Sequence, residues 1–69
     1  MSLRDQIARL RTRREAIGAT LDEVADKSGL NRSTINRHEM GRIAKITRVN
    51  LRAWECALDD LEREKKRTA

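Results

Sequence analysis

Residues 20–41 read TLDEVADKSGLNRSTINRHEMG, and their caps and glycines predict the central helices. Thr20 followed by Glu23 is a capping-box pattern, which predicts the start of a helix, and Gly29 predicts its end. Asn31 is a favourable N-cap for a second helix, which the glycine at the end of the stretch closes. The stretch therefore predicts two helices of about two turns each, separated by a turn that contains a glycine.

The second of these helices is rich in Arg, Asn, Ser and Thr, and Ile35 is its central apolar residue. A helix that only packed would be expected to carry long charged side chains outward, whereas short polar side chains suit close contact with a partner. Two short helices with a tight glycine turn form the pattern of a helix-turn-helix. The predicted turn spans Lys27–Asn31. Ala25 would let the helices approach closely, and Leu30 would help Ile35 to hold their angle.

The flanking sequence predicts two further helices. Apolar residues at helical spacing indicate a first helix over residues 2–17, with Ser2 as its N-cap. After a loop of sequence RIAKI (residues 42–46), Thr47 can cap a last helix, and EREKKRTA (residues 62–69) is expected to fray into a charged tail. The apolar residues are Leu3, Ile7, Leu10 and Ile17 in the first helix and Leu51, Trp54, Ala57, Leu58 and Leu61 in the last.

The composition favours a single helical domain. The chain has 69 residues, no proline and one aromatic residue, and its β-branched residues are dispersed among Ala, Leu, Glu and Arg. A chain of this length supports one small core. We therefore predict an all-α fold of four helices, with a fifth left open, in which residues 1–64 form the domain and residues 65–69 a charged tail.

The net charge and the cysteine count narrow the function classes. A net charge of +5 biases the surface toward polyanions, with nucleic acid first, an acidic protein second and anionic lipid third. One Cys and one His are too few for a disulfide or a structural zinc site. No apolar run approaches the roughly 20 residues of a membrane span, and the N-terminus lacks a signal-peptide pattern. We expect a cytoplasmic protein without cofactor, metal, membrane or small-molecule ligand.

The sequence VADKSGLNRSTINRHEMG (residues 24–41), with RREAIGATLDE (residues 13–23) ahead of it, resembles the helix-turn-helix domain of the lambda-repressor and Cro-like transcriptional regulators. The resemblance covers roughly residues 7–58. In that family the first helix of the unit crosses the DNA backbone, and the second lies in the major groove with its N-terminal residues on base edges. The resemblance therefore implies double-stranded DNA as the partner, in a bacterial or phage-infected cell.

The resemblance also implies which residues contact DNA. Arginine can donate bidentate hydrogen bonds to guanine O6 and N7, so guanines are expected in the bound site. Groups at helix starts and in the following loop would contact phosphates, which positions the protein without reading sequence. The implied base contacts are Arg32, Ser33, Asn36 and Arg37, and the implied phosphate contacts are Thr20, Asn31, Arg42, Lys45 and Arg48.

Other positions match the family or depart from it. Arg14 and Glu39 resemble a pair that joins the first and third helices in family members, which we interpret as alignment of the recognition helix. Leu21 replaces a glutamine that contacts the first base or its phosphate, and Met40 replaces a residue that often touches the backbone. Readout should therefore depend more on the arginines of the third helix. The region after Leu58 is shorter than in relatives that dimerise through a fifth helix, so a homodimer is left open.

Three single residues have a packing interpretation. His38 occupies a position that is normally apolar in the motif, so we predict a partly buried packing histidine instead of a ligand or a catalytic base. Cys56 is predicted to pack, since Glu55 beside it opposes thiolate formation. Trp54 is predicted to be the centre of the last helix's contact with the core, whereas an exposed Trp54 would indicate an interface.

Two functions from different classes follow. The first is a sequence-specific DNA-binding regulator, most simply a small phage-type or bacterial repressor, since 69 residues leave no space for a sensor domain. The alternative is a protein-interaction module, such as an antitoxin or anti-repressor partner, that uses an exposed stripe of Leu51, Trp54, Leu58 and Leu61. An enzyme is disfavoured, because a lone His and a lone Cys, with no glycine-rich loop or inward carboxylate pair, offer no catalytic site.

Overall fold

The structure, a computed structural model, describes residues 2–42 and 45–68, which form four helices and no strand. The predicted all-α fold is confirmed, with four helices over the described residues. The helices are α1 (Leu3–Ala16), α2 (Leu21–Ser28), α3 (Arg32–Glu39) and α4 (Arg48–Thr68). Ile43 and Ala44 of the predicted loop, together with Met1 and Ala69, lie outside the described residues.

Polar side chains cap the helices where the sequence predicts. Ser2 Oγ accepts the backbone N–H three residues further on at 3.2 Å. Thr20 and Glu23 form the reciprocal capping box, with distances of 3.1 Å from the Glu23 N–H to Thr20 Oγ1 and 2.9 Å from the Thr20 N–H to Glu23 Oε1. Asn31 Oδ1 accepts a backbone N–H at 2.8 Å, and Thr47 Oγ1 accepts one at 3.1 Å. These bonds satisfy backbone donors that have no partner within their own helix.

The core forms where α4 packs against α1 and α2, and α3 adds side chains that reach α4. Trp54 is fully buried at its centre, as predicted, and Leu51 packs partly buried against the same cluster. Cys56, predicted to pack, is exposed instead, because the inward stripe of α4 falls on the residues to either side of it. The buried hydrophobic residues are Ile7, Leu10, Ala19, Val24, Ile35, Trp54, Ala57, Leu58 and Leu61.

The turn between α2 and α3 is built around one glycine. Gly29 has φ of 76°, in the left-handed region that favours glycine, and its N–H donates to the Ala25 carbonyl at 2.9 Å. The Leu30 N–H donates to Ser28 Oγ at 3.1 Å, and the Leu30 side chain packs against the core. Because α2 continues through Ser28, the turn is shorter than the predicted Lys27–Asn31. The turn fixes the direction in which α3 continues after α2.

The charged C-terminal segment is helical, so the prediction that residues 62–69 fray is wrong over the part that the structure describes. Ion pairs join its turns to α2: Lys65 Nζ lies 3.3 Å from Glu23 Oε2, and Lys27 Nζ lies 2.7 Å from Glu64 Oε1. Extending an existing helix costs little compared with starting one, so such pairs can keep the last turns helical. The predicted boundary after residue 64 lies inside α4, and as a domain boundary it stays a prediction.

Two carboxylates that pair with cations of other helices have a lowered pKa. The backbone N–H of Thr20 is the main cause of the lowered pKa of Glu23, and Lys65 adds to it; the hydrogen bond from Arg13 is the main cause of the lowered pKa of Asp59. A folded pKa below the unfolded value stabilises the fold above the ordinary values of 4.5 and 3.8, and this contribution is lost as the pH falls through the folded pKa. Both side chains are substantially exposed, so solvent screens the effect and keeps it small.

Candidate nucleic-acid interface

Helix α3 has an inner and an outer face. Ile35 and His38 are buried on the inner face. The four predicted base-contact residues are exposed, and their spacing of one, four and five positions places them on one side of a helix with 3.6 residues per turn. The structure therefore brings together, on the outer face of α3, the side chains of Arg32, Ser33, Asn36 and Arg37.

His38 joins α3 to α4. Its Nδ1 donates to the Thr34 carbonyl at 2.7 Å, and its ring meets Trp54 edge-to-face, with ring centroids 6.3 Å apart and an interplanar angle of 81°. The His38 Nε2 and Trp54 Nε1 atoms have no hydrogen-bond partner among the described residues. The predicted packing role of His38 is confirmed by this burial and contact. It holds the inner face of α3 against the longest helix.

An ion pair between α1 and α3 holds the C-terminal end of α3. Arg14 Nε and Nη2 donate to the two carboxylate oxygens of Glu39 at 2.8 and 2.9 Å, and Arg14 Nη1 donates to the Ala19 carbonyl at 2.9 Å. The side chains are only 15% and 4% exposed, and the hydrogen bond to Glu39 is the main cause of the raised pKa of Arg14. Arg11, which the sequence analysis missed, adds a longer contact of 3.4 Å to the Glu39 carbonyl.

A cationic cleft of about 200 Å³ lies beside α3. It is lined by Thr34, Arg37, His38, Arg42 and Lys45. Arg37, predicted to contact a base, thus lies beside two predicted phosphate contacts, and no Asp or Glu is among the lining residues. Positive charge without a neighbouring carboxylate is the arrangement that attracts a phosphate group.

The remaining predicted phosphate contacts lie at helix starts. Thr20, Asn31 and Arg48 are exposed. The Thr20 hydroxyl accepts a capping hydrogen bond and keeps its own hydrogen to donate, and the Asn31 amide keeps two hydrogens while its oxygen caps α3. These groups can therefore cap a helix and donate to a phosphate at the same time. Their contact with DNA stays a prediction.

Arg32 has a neighbour that the sequence analysis missed. Its Nε lies 3.3 Å from Oδ1 of Asp22, in the first turn of α2, and the two side chains are 63% and 74% exposed. The pair spans ten positions across the turn, so its formation depends on how α2 and α3 cross. Helical periodicity within either helix carries no signal for it.

Three of the four residues in the apolar stripe of α4 are buried and Leu51 is partly buried, so the stripe is not an exposed docking face. Trp54, Leu58 and Leu61 all lie in the core, whereas an exposed stripe would favour the protein-interaction alternative. Over the described residues, the exposed large hydrophobic side chains are those of Met40 and Val49. No described helix is both long enough and apolar enough to cross a membrane.

A family model for a helix-turn-helix domain matches residues 8–64. The match covers most of the chain, which therefore belongs to this helix-turn-helix family, in agreement with the resemblance to lambda-repressor and Cro-like regulators. Separate searches of curated proteins and of solved structures gave no significant match. Helix-turn-helix domains bind DNA and typically regulate transcription without catalysing a reaction.

Proposed function

We propose that the protein is a sequence-specific regulator that binds double-stranded DNA by placing α3 in the major groove. The observation that carries the proposal is the outer face of α3, on which Arg32 and Arg37 are exposed together with two shorter polar side chains. The opposite face is held by buried Ile35 and by the pairing of Glu39 with α1. A rigid helix with short and bidentate donors outward suits contact with base edges.

Base reading is assigned to four side chains of α3. Arg32 and Arg37 donate to guanine O6 and N7, and each good bidentate pair contributes about 1 to 3 kcal/mol of discrimination against the wrong base. Asn36 can pair with adenine N6 and N7, and the hydroxyl of Ser33 can bond to several bases. The preferred site is therefore expected to contain guanines.

Phosphate contacts surround this helix. Arg42, Lys45 and Arg48 follow α3 along the chain, and Thr20 and Asn31 begin α2 and α3. Such contacts supply affinity and set the orientation of the protein on the duplex, but they carry no sequence information. They also make binding depend on salt, because each neutralised phosphate releases counterions.

The proposed biological role is repression, of the phage-type or bacterial kind. A protein seated in the major groove occupies the DNA surface that a polymerase or another regulator would need. We propose that the protein acts inside a bacterial or phage-infected cell, on the DNA that it regulates.

The proposal is tested with alanine variants of the two residue classes. Arg32→Ala and Arg37→Ala should each weaken binding to a duplex selected from random sequences by about 1 to 3 kcal/mol and relax the preference at one or two base pairs. Arg42→Ala and Lys45→Ala should weaken selected and random duplexes by similar factors and reduce the salt slope by about one unit. Fluorescence-anisotropy titrations between about 50 and 200 mM salt measure both effects.

The same titrations can contradict the proposal in two ways. A flat salt response of the unmodified protein would show that it does not bind DNA through phosphates. Equal losses for all sequences in the Arg32 and Arg37 variants would make α3 a backbone-binding element, and the protein a non-specific DNA binder. In either case the assignment of sequence-specific regulation would fail.

We extend the proposal to a homodimer on DNA. One α3 of eight residues reads only a short segment of one major groove, so a longer site needs two copies. The selected sequence should then be a palindrome whose half-sites are about 10 base pairs apart, since site symmetry mirrors protein symmetry. Selection from random duplexes measures the symmetry, and the mass of the complex gives the number of bound chains. A single asymmetric site with one chain bound would contradict it.

A further inference from the structure

We propose that Asp22 positions Arg32 and so sets the base preference at the base pair that Arg32 contacts. The inference rests on the proposed function, because it concerns how α3 reads a base. It is carried by the ion pair between the first turns of α2 and α3, in which Arg32 Nε lies 3.3 Å from Asp22 Oδ1. Asp22 is a positioning residue here, since it acts through Arg32.

The geometry of the pair suits guanine recognition. The closest approach of the pair is from Nε to Oδ1, and the Arg32 guanidinium has no ion-pair partner other than Asp22 among the described residues. Its two terminal nitrogens, Nη1 and Nη2, can donate together to guanine O6 and N7. An arginine whose Nε lies beside Asp22 can thus still turn its terminal nitrogens to a base.

Arg32 needs such a restraint. It is the first residue of α3, and its side chain is 63% exposed. An arginine side chain has a large rotamer entropy, so an unrestrained one loses freedom when it pairs with a base. Asp22 has a short side chain on a capped helix, and it can reduce the orientations that Arg32 samples before DNA arrives.

Asp22 also disfavours the wrong contact. An arginine beside DNA can pair with a phosphate instead of a base, and phosphate pairing carries no sequence information. The carboxylate of Asp22 repels a phosphate that approaches the same guanidinium, whereas a guanine edge brings no net charge. The ion pair therefore lowers the affinity for random DNA and raises the discrimination between bases.

Four proteins test this inference: the unmodified chain, Asp22→Asn, Arg32→Ala and the double variant. Affinities are measured for the selected duplex and for duplexes changed at the base pair where Arg32→Ala loses its preference. Arg32→Ala should reduce that preference about tenfold or more. Asp22→Asn should reduce it about two- to fivefold, in the range of an exposed ion pair, without weakening the binding of random DNA. The double variant should match Arg32→Ala.

Asp26→Asn is the matched control, because Asp26 is exposed one turn further along α2 and forms no salt bridge with another described residue. It should change affinity for all duplexes by one common factor and leave the base preference intact. If Asp22→Asn behaves like Asp26→Asn, or if the double variant loses more preference than Arg32→Ala, the positioning role is wrong. If the unmodified chain prefers no sequence, the proposed function itself fails. Circular dichroism shows that each variant is folded.

Discussion

Replacing Ile35 with Asp is expected to unfold the domain. Ile35 is fully buried where α3 meets the core, so the new carboxylate would be placed among apolar side chains without a partner. Burying an unpaired charge adds to the loss of apolar burial, and together they exceed the roughly 3 to 10 kcal/mol by which a chain of this size is stable. Thermal unfolding followed by circular dichroism at 222 nm should show no cooperative transition for this variant.

Val49→Asp is the matched control for that experiment. Val49 is 77% exposed in the first turn of α4, where a negative charge is favourable at a helix N-terminus, so this variant should unfold close to the parent. Ile35→Val should stay folded and lose only about 0.5 to 1.5 kcal/mol. An Ile35→Asp variant as stable as the parent would show that the assigned inner face of α3 is wrong.

Replacing Arg14 with Met is expected to cost about 3 to 5 kcal/mol of folding free energy. The change removes the donors that bond both carboxylate oxygens of Glu39 and the Ala19 carbonyl. Glu39 is 4% exposed, so its carboxylate would be left buried and unpaired, which is the costly half of breaking such a pair. Urea unfolding measures the loss as a shift of the midpoint.

A double variant separates the contribution of the ion pair to stability from the contribution of each side chain. Arg14→Met with Glu39→Met replaces two buried charges by apolar side chains, so it should recover much of the stability that Arg14→Met loses. Arg63→Met is the control, because its pair with Asp60 is exposed and should contribute less than about 1 kcal/mol. If Arg14→Met cost no more than Arg63→Met, the Arg14 pair would not hold α3. If the double variant were folded but selected a different DNA site, an alignment role would be supported.

The resemblance to lambda-repressor and Cro-like regulators implied the base-contact residues, and their contact with DNA stays a prediction. Helical periodicity accounts for the exposed face that they share. Burying Ile35 on the inner face of α3 leaves the positions one turn apart on the opposite side exposed, and these carry Arg32, Asn36 and Arg37. The ion pair of Arg32 was not predicted, because it does not follow from the periodicity of a single helix. Its contact with Asp22 lies between two helices, and its distance depends on their crossing.

The prediction of a frayed tail was wrong because the order of that segment also depends on contacts between helices. Within residues 62–69 the charge run alone resembles a solvated helix end, and nothing in it shows that Lys65 lies beside Glu23 or Glu64 beside Lys27. Those contacts exist because α4 packs along α2. Cys56 shows the complementary error, since a small residue next to an apolar stripe was predicted to pack although it lies just outside that stripe.

The helices, their caps, the glycine turn and the outward face of α3 were predictable without coordinates, because each depends on residues within a few positions of one another. The residues of a single helix do not show which charges meet across helices. The resemblance implied the pair of Arg14 with Glu39, whereas the cleft of three cations and the place of Asp22 beside Arg32 became known from the tertiary structure. The two kinds of contact differ in how far apart their residues lie along the chain. Cap hydrogen bonds and apolar periodicity involve residues a few positions apart. An ion pair between helices requires that two separately formed helices be brought together by a shared core.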